Sequence, residues 1–146
     1  MPRFVTFGET MARYSSRYVG CRKPKPPLLG IAGSESNVAV NLRKISPKSV
    51  EILWISRLGD DEAGRAIYQE LSDKIRVLCP LVKGDKTGTY SIEDPRSGNS
   101  SKIYDRMGSS ASKITFSSIN PFLKGTDLLH VTGITPALSD TCKQTT

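Results

Sequence analysis

The feature that most constrains this chain is an alternation of short β-prone runs with helix-entry segments. The run Val50-Glu51-Ile52-Leu53-Trp54-Ile55-Ser56 is strongly β-prone. Gly59-Asp60-Asp61-Glu62 after it supplies helix-start residues ahead of Ala63, Ala66, Ile67 and Leu71. The same order occurs earlier. Arg3 to Phe7 reads as a buried strand stopped by Gly8-Glu9. Gly33-Ser34-Glu35-Ser36-Asn37 reads as a turn feeding a helix through Val38, Ala39, Leu42 and Ile45, closed by Ser46-Pro47. Strands alternating with helices of this length argue for a parallel sheet covered by helices, with right-handed connections and ligands gathered at the carboxyl ends of the strands.

Ile75 to Val82 predicts a third strand broken by Pro80, which places it at an edge. Residues 87–106 give two β-like pieces, Thr89 to Glu93 and Lys102 to Arg106, around the turn-formers Pro95-Arg96-Ser97-Gly98-Asn99. That is a hairpin which need not belong to the central sheet. Ser117 to Leu123 suits a short helix, Asp127 to Val131 a buried strand, and Thr135 to Asp140 the start of another helix. Arg13 to Leu29 breaks the pattern. Its Lys23-Pro24-Lys25-Pro26-Pro27 cannot lie within a central strand because proline has no amide donor, so the segment reads as an exposed excursion. Trp54 and His130 read as core residues.

A hydrophobic fraction of 37% with 24% charged residues argues against disorder and for one compact domain in 146 residues. The net charge of +7 favours anionic partners, equally phosphates, acidic sugars or nucleic acid. The basic residues are scattered, with no recognition motif or basic-aromatic surface pattern, so a nucleic-acid partner is not expected. No apolar run reaches the roughly 18 residues of a membrane helix, and no membrane association is expected. The N-terminal apolar run meets Glu9 early and does not read as a secretory signal, so a cytoplasmic location is expected. Cys21, Cys79 and Cys142 lack CxxC spacing, and His130 is the single histidine; three reduced thiols and no metal site are expected.

Several segments, in order, resemble the PfkB (ribokinase-like) family of carbohydrate kinases, and within it look most like 2-keto-3-deoxygluconate kinases. Val5-Thr6-Phe7-Gly8-Glu9 is similar to the family's first strand and turn. Gly33 to Leu42 resembles its first signature, with Ala32 where the first of two glycines usually stands. Arg57 to Gly64 is similar to its Gly-Asp-Asp helix entry. Thr87 to Tyr90, Ile103 to Arg106 and Thr132 to Ser139 resemble sections that set ketodeoxygluconate kinases apart.

The resemblance implies an α/β fold, a ribokinase-like, Rossmann-type three-layer sandwich with a small β lid built from segments about 10–32 and 87–108. Residues 1–146 would be the N-terminal part of the kinase domain. In the family, the glycine-rich anion hole, the aspartate that deprotonates the acceptor hydroxyl and most of the nucleotide site belong to the second half of the domain. No catalytic residue is therefore expected in this chain, and no GxxxxGK[ST] loop replaces them. ATP and Mg2+ are the cofactors implied for a full-length relative, and the chain alone is expected to be inactive. A homo-oligomer formed through the lid is a further implication.

Five residues are the candidate substrate contacts: Gly33, Asn37, Tyr90, Tyr104 and Arg106. Gly33 lacks a Cβ, so backbone amides there can approach a hydroxyl or carboxylate. Asn37 offers an amide to a sugar hydroxyl or to the helix start. Tyr104 and Arg106 are two apart on a strand and share a face. A guanidinium there can grip a carboxylate with two bonds while Tyr90 and Tyr104 add apolar wall and hydroxyls, which suits a sugar acid. Adjacent Asp60 and Asp61 read as helix-capping residues. A neutral-sugar kinase and a non-catalytic sugar-binding or regulatory protein are the competing readings.

Overall fold

The computed structural model describes residues 1–15, 28–46, 48–93 and 101–146. In chain order the elements are β1 (Arg3–Phe7), β2 (Met11–Ser15), β3 (Leu28–Ala32), α1 (Ser34–Ile45), β4 (Glu51–Ile55), β5 (Leu58–Gly59) and α2 (Glu62–Ser72). These are followed by β6 (Arg76–Leu78), β7 (Leu81–Val82), β8 (Thr89–Glu93), β9 (Ser101–Asp105), α3 (Phe116–Leu123), β10 (Leu128–His130) and α4 (Asp140–Thr145). Single 3-10 turns occupy Ser110–Lys113 and Thr135–Ala137.

The main sheet has the order β10-β1-β4-β6, and each neighbouring pair is parallel. Its central strands are apolar on both faces because both faces are covered. Phe4, Ile52 and Trp54 point into a core with Ala39 of α1 and Ala63, Ile67 and Leu71 of α2. Their sequence neighbours Val5, Phe7, Leu53 and Ile55 face the other way, onto Ile119 of α3 and Cys142 of α4. This period-two division is what a three-layer sandwich asks of its inner strands.

A second sheet, β3-β2-β8-β9, forms the lid. β2 pairs antiparallel with β3 and parallel with β8, and β8 pairs antiparallel with β9. The hairpin of residues 89–106 therefore stands apart from the main sheet, as its texture predicts; its turn-formers, Pro95 to Asn99, lie outside the described residues.

Three expectations are corrected. Arg13 to Leu29 is not wholly an excursion: β2 extends to Ser15 and β3 begins at Leu28, and the Lys/Pro tract lies outside the described residues. The strand expected over Ile75 to Val82 is broken at Pro80 and lies at an edge, as expected, but only its first piece, β6, belongs to the main sheet, while β7 pairs with β5. β10 is not buried. Leu128 and Leu129 are 60% and 44% exposed, because β10 has a strand neighbour on one side only among the described residues. Trp54 is fully buried, as expected. His130 is half-buried, stacks on Phe4 and places Nδ1 3.1 Å from Thr6 Oγ1.

Candidate functional site

The carboxyl ends of β1 and β10 and the end of β9 deliver the side chains that bound the candidate site. In the lid, the antiparallel register sets Tyr90 of β8 opposite Tyr104 of β9. Their rings stack with centroids 5.6 Å apart. Tyr90 is buried whereas Tyr104 is half exposed. Arg106, the first residue beyond β9, lays its guanidinium over Tyr104, 5.9 Å from the ring centroid. Lys102 approaches the Tyr90 ring at 6.0 Å. Arg106 then forms one wall of a cleft of about 460 Å3, with Met107, Gly133, Ile134, Ala137 and Leu138. Three of the five sequence-predicted residues are thus one group, with a cation at the mouth of a largely apolar recess.

Arg106 does not stand alone. Glu9, in the turn after β1, is almost wholly buried, and its Oε2 lies 2.5 Å from Arg106 Nη2. Its other oxygen, Oε1, accepts a hydrogen bond from Ser109 Oγ at 2.6 Å. The Arg106 contact is close without being aligned as a hydrogen bond, and Arg106 Nε is buried without a partner among the described residues. Gly88, just before β8, makes room for this carboxylate, since a Cβ there would collide with Glu9 Oε1.

A second buried carboxylate lies beneath the opposite wall. Glu35, in the first turn of α1, accepts Thr132 Oγ1 at 2.5 Å and Thr135 Oγ1 at 2.8 Å on Oε1. It thereby ties α1 to the loop that carries Gly133 and Ile134. A Cβ at Gly8 would lie 2.5 Å from Glu35 Cδ, so that glycine is needed for the close approach.

Gly33 caps α1 with extended backbone and is buried. A Cβ on it would meet Thr10 Oγ1 at 2.5 Å and the Glu9 carbonyl oxygen at 2.6 Å, so packing alone requires glycine here. Asn37 lies exposed one residue beyond the first turn and is not among the aromatic and arginine group. Asp61 caps α2 by accepting from Gly64 N at 2.7 Å, and its Oδ2 accepts from Thr87 N at 2.8 Å. The capping role read from the sequence is the observed one. Asp60 pairs with Arg65 at the surface.

Below the lid, Asp85 gathers Lys113 Nζ, Ser110 Oγ and Arg57. The hydrogen bonds from Lys113, then Ser110 and Arg57, hold its carboxyl down to about 2. Glu9, Glu35 and Asp85 are the residues that sequence reasoning passed over. For Glu9 and Asp85 the usable signal is a carboxylate directly after a glycine that follows a strand, Gly8 and Gly84 respectively; Glu35, inside the first turn of α1, carries no such signal.

A model of the pfkB family of carbohydrate kinases matches residues 1–146. The chain belongs to that family. Among relatives of this pfkB chain, the 2-dehydro-3-deoxygluconokinase of Bacillus subtilis (strain 168) is 33% identical over 147 residues, covering 97% of this chain and 44% of that protein. The crystal structure of a PfkB protein from Polaromonas sp. JS666 is 28% identical with a TM-score of 0.80, covering 99% of this chain and 49% of that one. That of 2-dehydro-3-deoxygluconokinase from Thermotoga maritima is 25% identical with a TM-score of 0.75, covering 95% and 43%. The pfkB chain therefore spans less than half the length of these relatives.

Proposed function

We propose that this chain is the sugar-binding half of an ATP-dependent carbohydrate kinase that phosphorylates 2-keto-3-deoxygluconate or a similar sugar acid. The observation that carries the reading is Arg106, set over Tyr104 and opening into the cleft bounded by Gly133 to Leu138. A guanidinium beside a mostly apolar recess binds a carboxylate with both charge and direction. Tyr104 backs the Arg106 guanidinium and Tyr90 in turn backs Tyr104, and Gly33 and Asn37 at the start of α1 complete the contacts of the proposal.

ATP and Mg2+ are the cofactors of this proposal. Among the described residues no three His, Cys, Asp or Glu side chains gather where they could hold a metal ion. No step of phosphoryl transfer is assigned to the described residues. Such transfer depends on positioning and charge neutralisation around the reacting phosphoryl group, so the chain alone is silent in catalysis. The proposal extends to a cytoplasmic location and to self-association through the lid sheet, whose β9 edge exposes Ile103 and Tyr104.

One observation favours a neutral sugar instead: Glu9 already offsets the charge of Arg106. The test is calorimetric titration of wild type and Arg106→Ala with 2-keto-3-deoxygluconate and with a neutral counterpart bearing a hydroxymethyl in place of the carboxylate. The sugar-acid reading expects the substitution to weaken acid binding at least about tenfold while leaving the neutral sugar little changed, the loss of a charge-assisted contact. Equal losses for both sugars would support the neutral-sugar reading.

A further inference from the structure

Resting on the sugar-acid reading above, we infer that Glu9 is the positioning residue for Arg106 and, through it, a determinant of the preference for acid over neutral sugars. Four structural facts converge on Glu9. Its side chain is 1% exposed, whereas that of Arg106 is 27% exposed. Removing a carboxylate from water is costly unless partners compensate for it, and an apolar residue would serve packing better at such a place. Its two oxygens are divided between two jobs, Oε1 accepting Ser109 Oγ and Oε2 facing Arg106. Gly88 leaves the space that Oε1 fills, so the fold makes a pocket for this carboxylate.

The placement explains what the ion pair does. Arg106 follows an exposed strand of the lid, all five residues of which face solvent. A long side chain there samples many rotamers, and ordering it on ligand binding would cost affinity. Glu9 is anchored in the turn after β1 by Ser109, so it ties one terminal nitrogen of the guanidinium to the rigid sheet. Arg106 Nε has no partner among the described residues, and the side chain borders the cleft. A carboxylate entering the cleft would meet a guanidinium already fixed in direction. The opposite effect is also physical: a carboxylate 2.5 Å from the guanidinium offsets its charge and weakens its pull on an anion. The inference is that direction outweighs this offset.

Glu9→Gln separates the two effects, because glutamine keeps an acceptor for Ser109 and removes the charge that holds Arg106. For each variant the measured quantity is the ratio of neutral-sugar to acid dissociation constants from calorimetry on one preparation, in which the folded fraction cancels. The expected result is a fall in that ratio of about tenfold, in the same direction as Arg106→Ala. A ratio that rises or stays at the wild-type value would overturn the inference, since Glu9 would then only offset charge or only support the fold. The second readout needs no sugar. In arginine side-chain NMR, rotation of the Arg106 guanidinium about its Nε–Cζ bond should be slow in wild type and fast in Glu9→Gln; equal rates would overturn the tether. If Arg106→Ala leaves the ratio untouched, the sugar-acid reading fails by itself, and the rotation rates alone then decide whether Glu9 positions Arg106.

Discussion

Asp61 holds the amide of Thr87 at 2.8 Å with one carboxylate oxygen while the other caps α2 through Gly64 N at 2.7 Å. One side chain thus fixes where a core helix begins and where the chain leaves for the lid. Asp61→Ala removes an N-cap and an acceptor for a second backbone amide. The expected loss is about 2–4 kcal/mol, the sum of a cap and a charge-assisted hydrogen bond. Asp61→Asn keeps one acceptor oxygen and should lose less than half as much. Urea denaturation of the three proteins measures both, and equal stability of Asp61→Ala and wild type would show that the two bonds contribute nothing.

Asp85 predicts how stability responds to acid. Its carboxyl is held at about 2 by Lys113, Ser110 and Arg57, below the roughly 3.9 of an unperturbed aspartate. A group lowered in this way binds fewer protons folded than unfolded. Its contribution is present above the unfolded value and is lost as pH falls through the folded one. Denaturation midpoints should therefore decline between about pH 4 and about pH 2 in wild type. Asp85→Asn should be less stable at pH 7 and should show a shallower decline in that window. An unchanged slope would contradict the network.

Gly33→Ala tests whether the first signature's glycine is demanded by packing. Its φ of −160° suits any residue, so conformational strain is not the issue. The added Cβ would press on the Glu9 carbonyl oxygen and the Thr10 and Ser36 hydroxyls. Overpacking of this kind costs about 1–3 kcal/mol. Adding Thr10→Ala should recover only part of the loss, because the Glu9 carbonyl is backbone and stays. Full recovery would place the clash on the Thr10 side chain alone.

Cys79 should be a poor nucleophile in the folded protein. Cys79 is only half-buried, yet desolvation pushes its thiol up to about 12, outweighing the Leu58 backbone bond and the charge of Arg57. Thiolate is the reactive form, so alkylation of Cys79 by iodoacetamide at pH 8 should be far slower than in urea, where about 8.5 is the ordinary value. Rapid labelling of native Cys79, located by peptide mass, would contradict this.

The sequence made the inner strands legible because Val5, Ile52, Leu53 and Trp54 are each buried by a neighbour in the same chain, so local pattern and tertiary fate agree. β10 was misjudged for the opposite reason. Leu128 and Leu129 are apolar, but burial depends on what lies beyond the strand, and the described residues put nothing there. Pairing of β2 with β8 joins residues some 77 positions apart, from Ala12 to Thr89, which no local periodicity reports. The grouping of Tyr90, Tyr104 and Arg106 was legible because a spacing of two brings Arg106 over Tyr104 and family resemblance singled out all three. Glu9 and Glu35 were not, because a buried acid is recognised by the partners that compensate it, and Ser109 and Thr135 each lie 100 residues away in sequence.

The most direct test of the central claim is the affinity of the wild-type chain for 2-keto-3-deoxygluconate against its neutral hydroxymethyl counterpart, measured by calorimetry at one pH and ionic strength. The account predicts that the acid binds about tenfold tighter or more, the effect of one charge-assisted arginine contact. Equal affinities, or tighter binding of the neutral sugar, would contradict it.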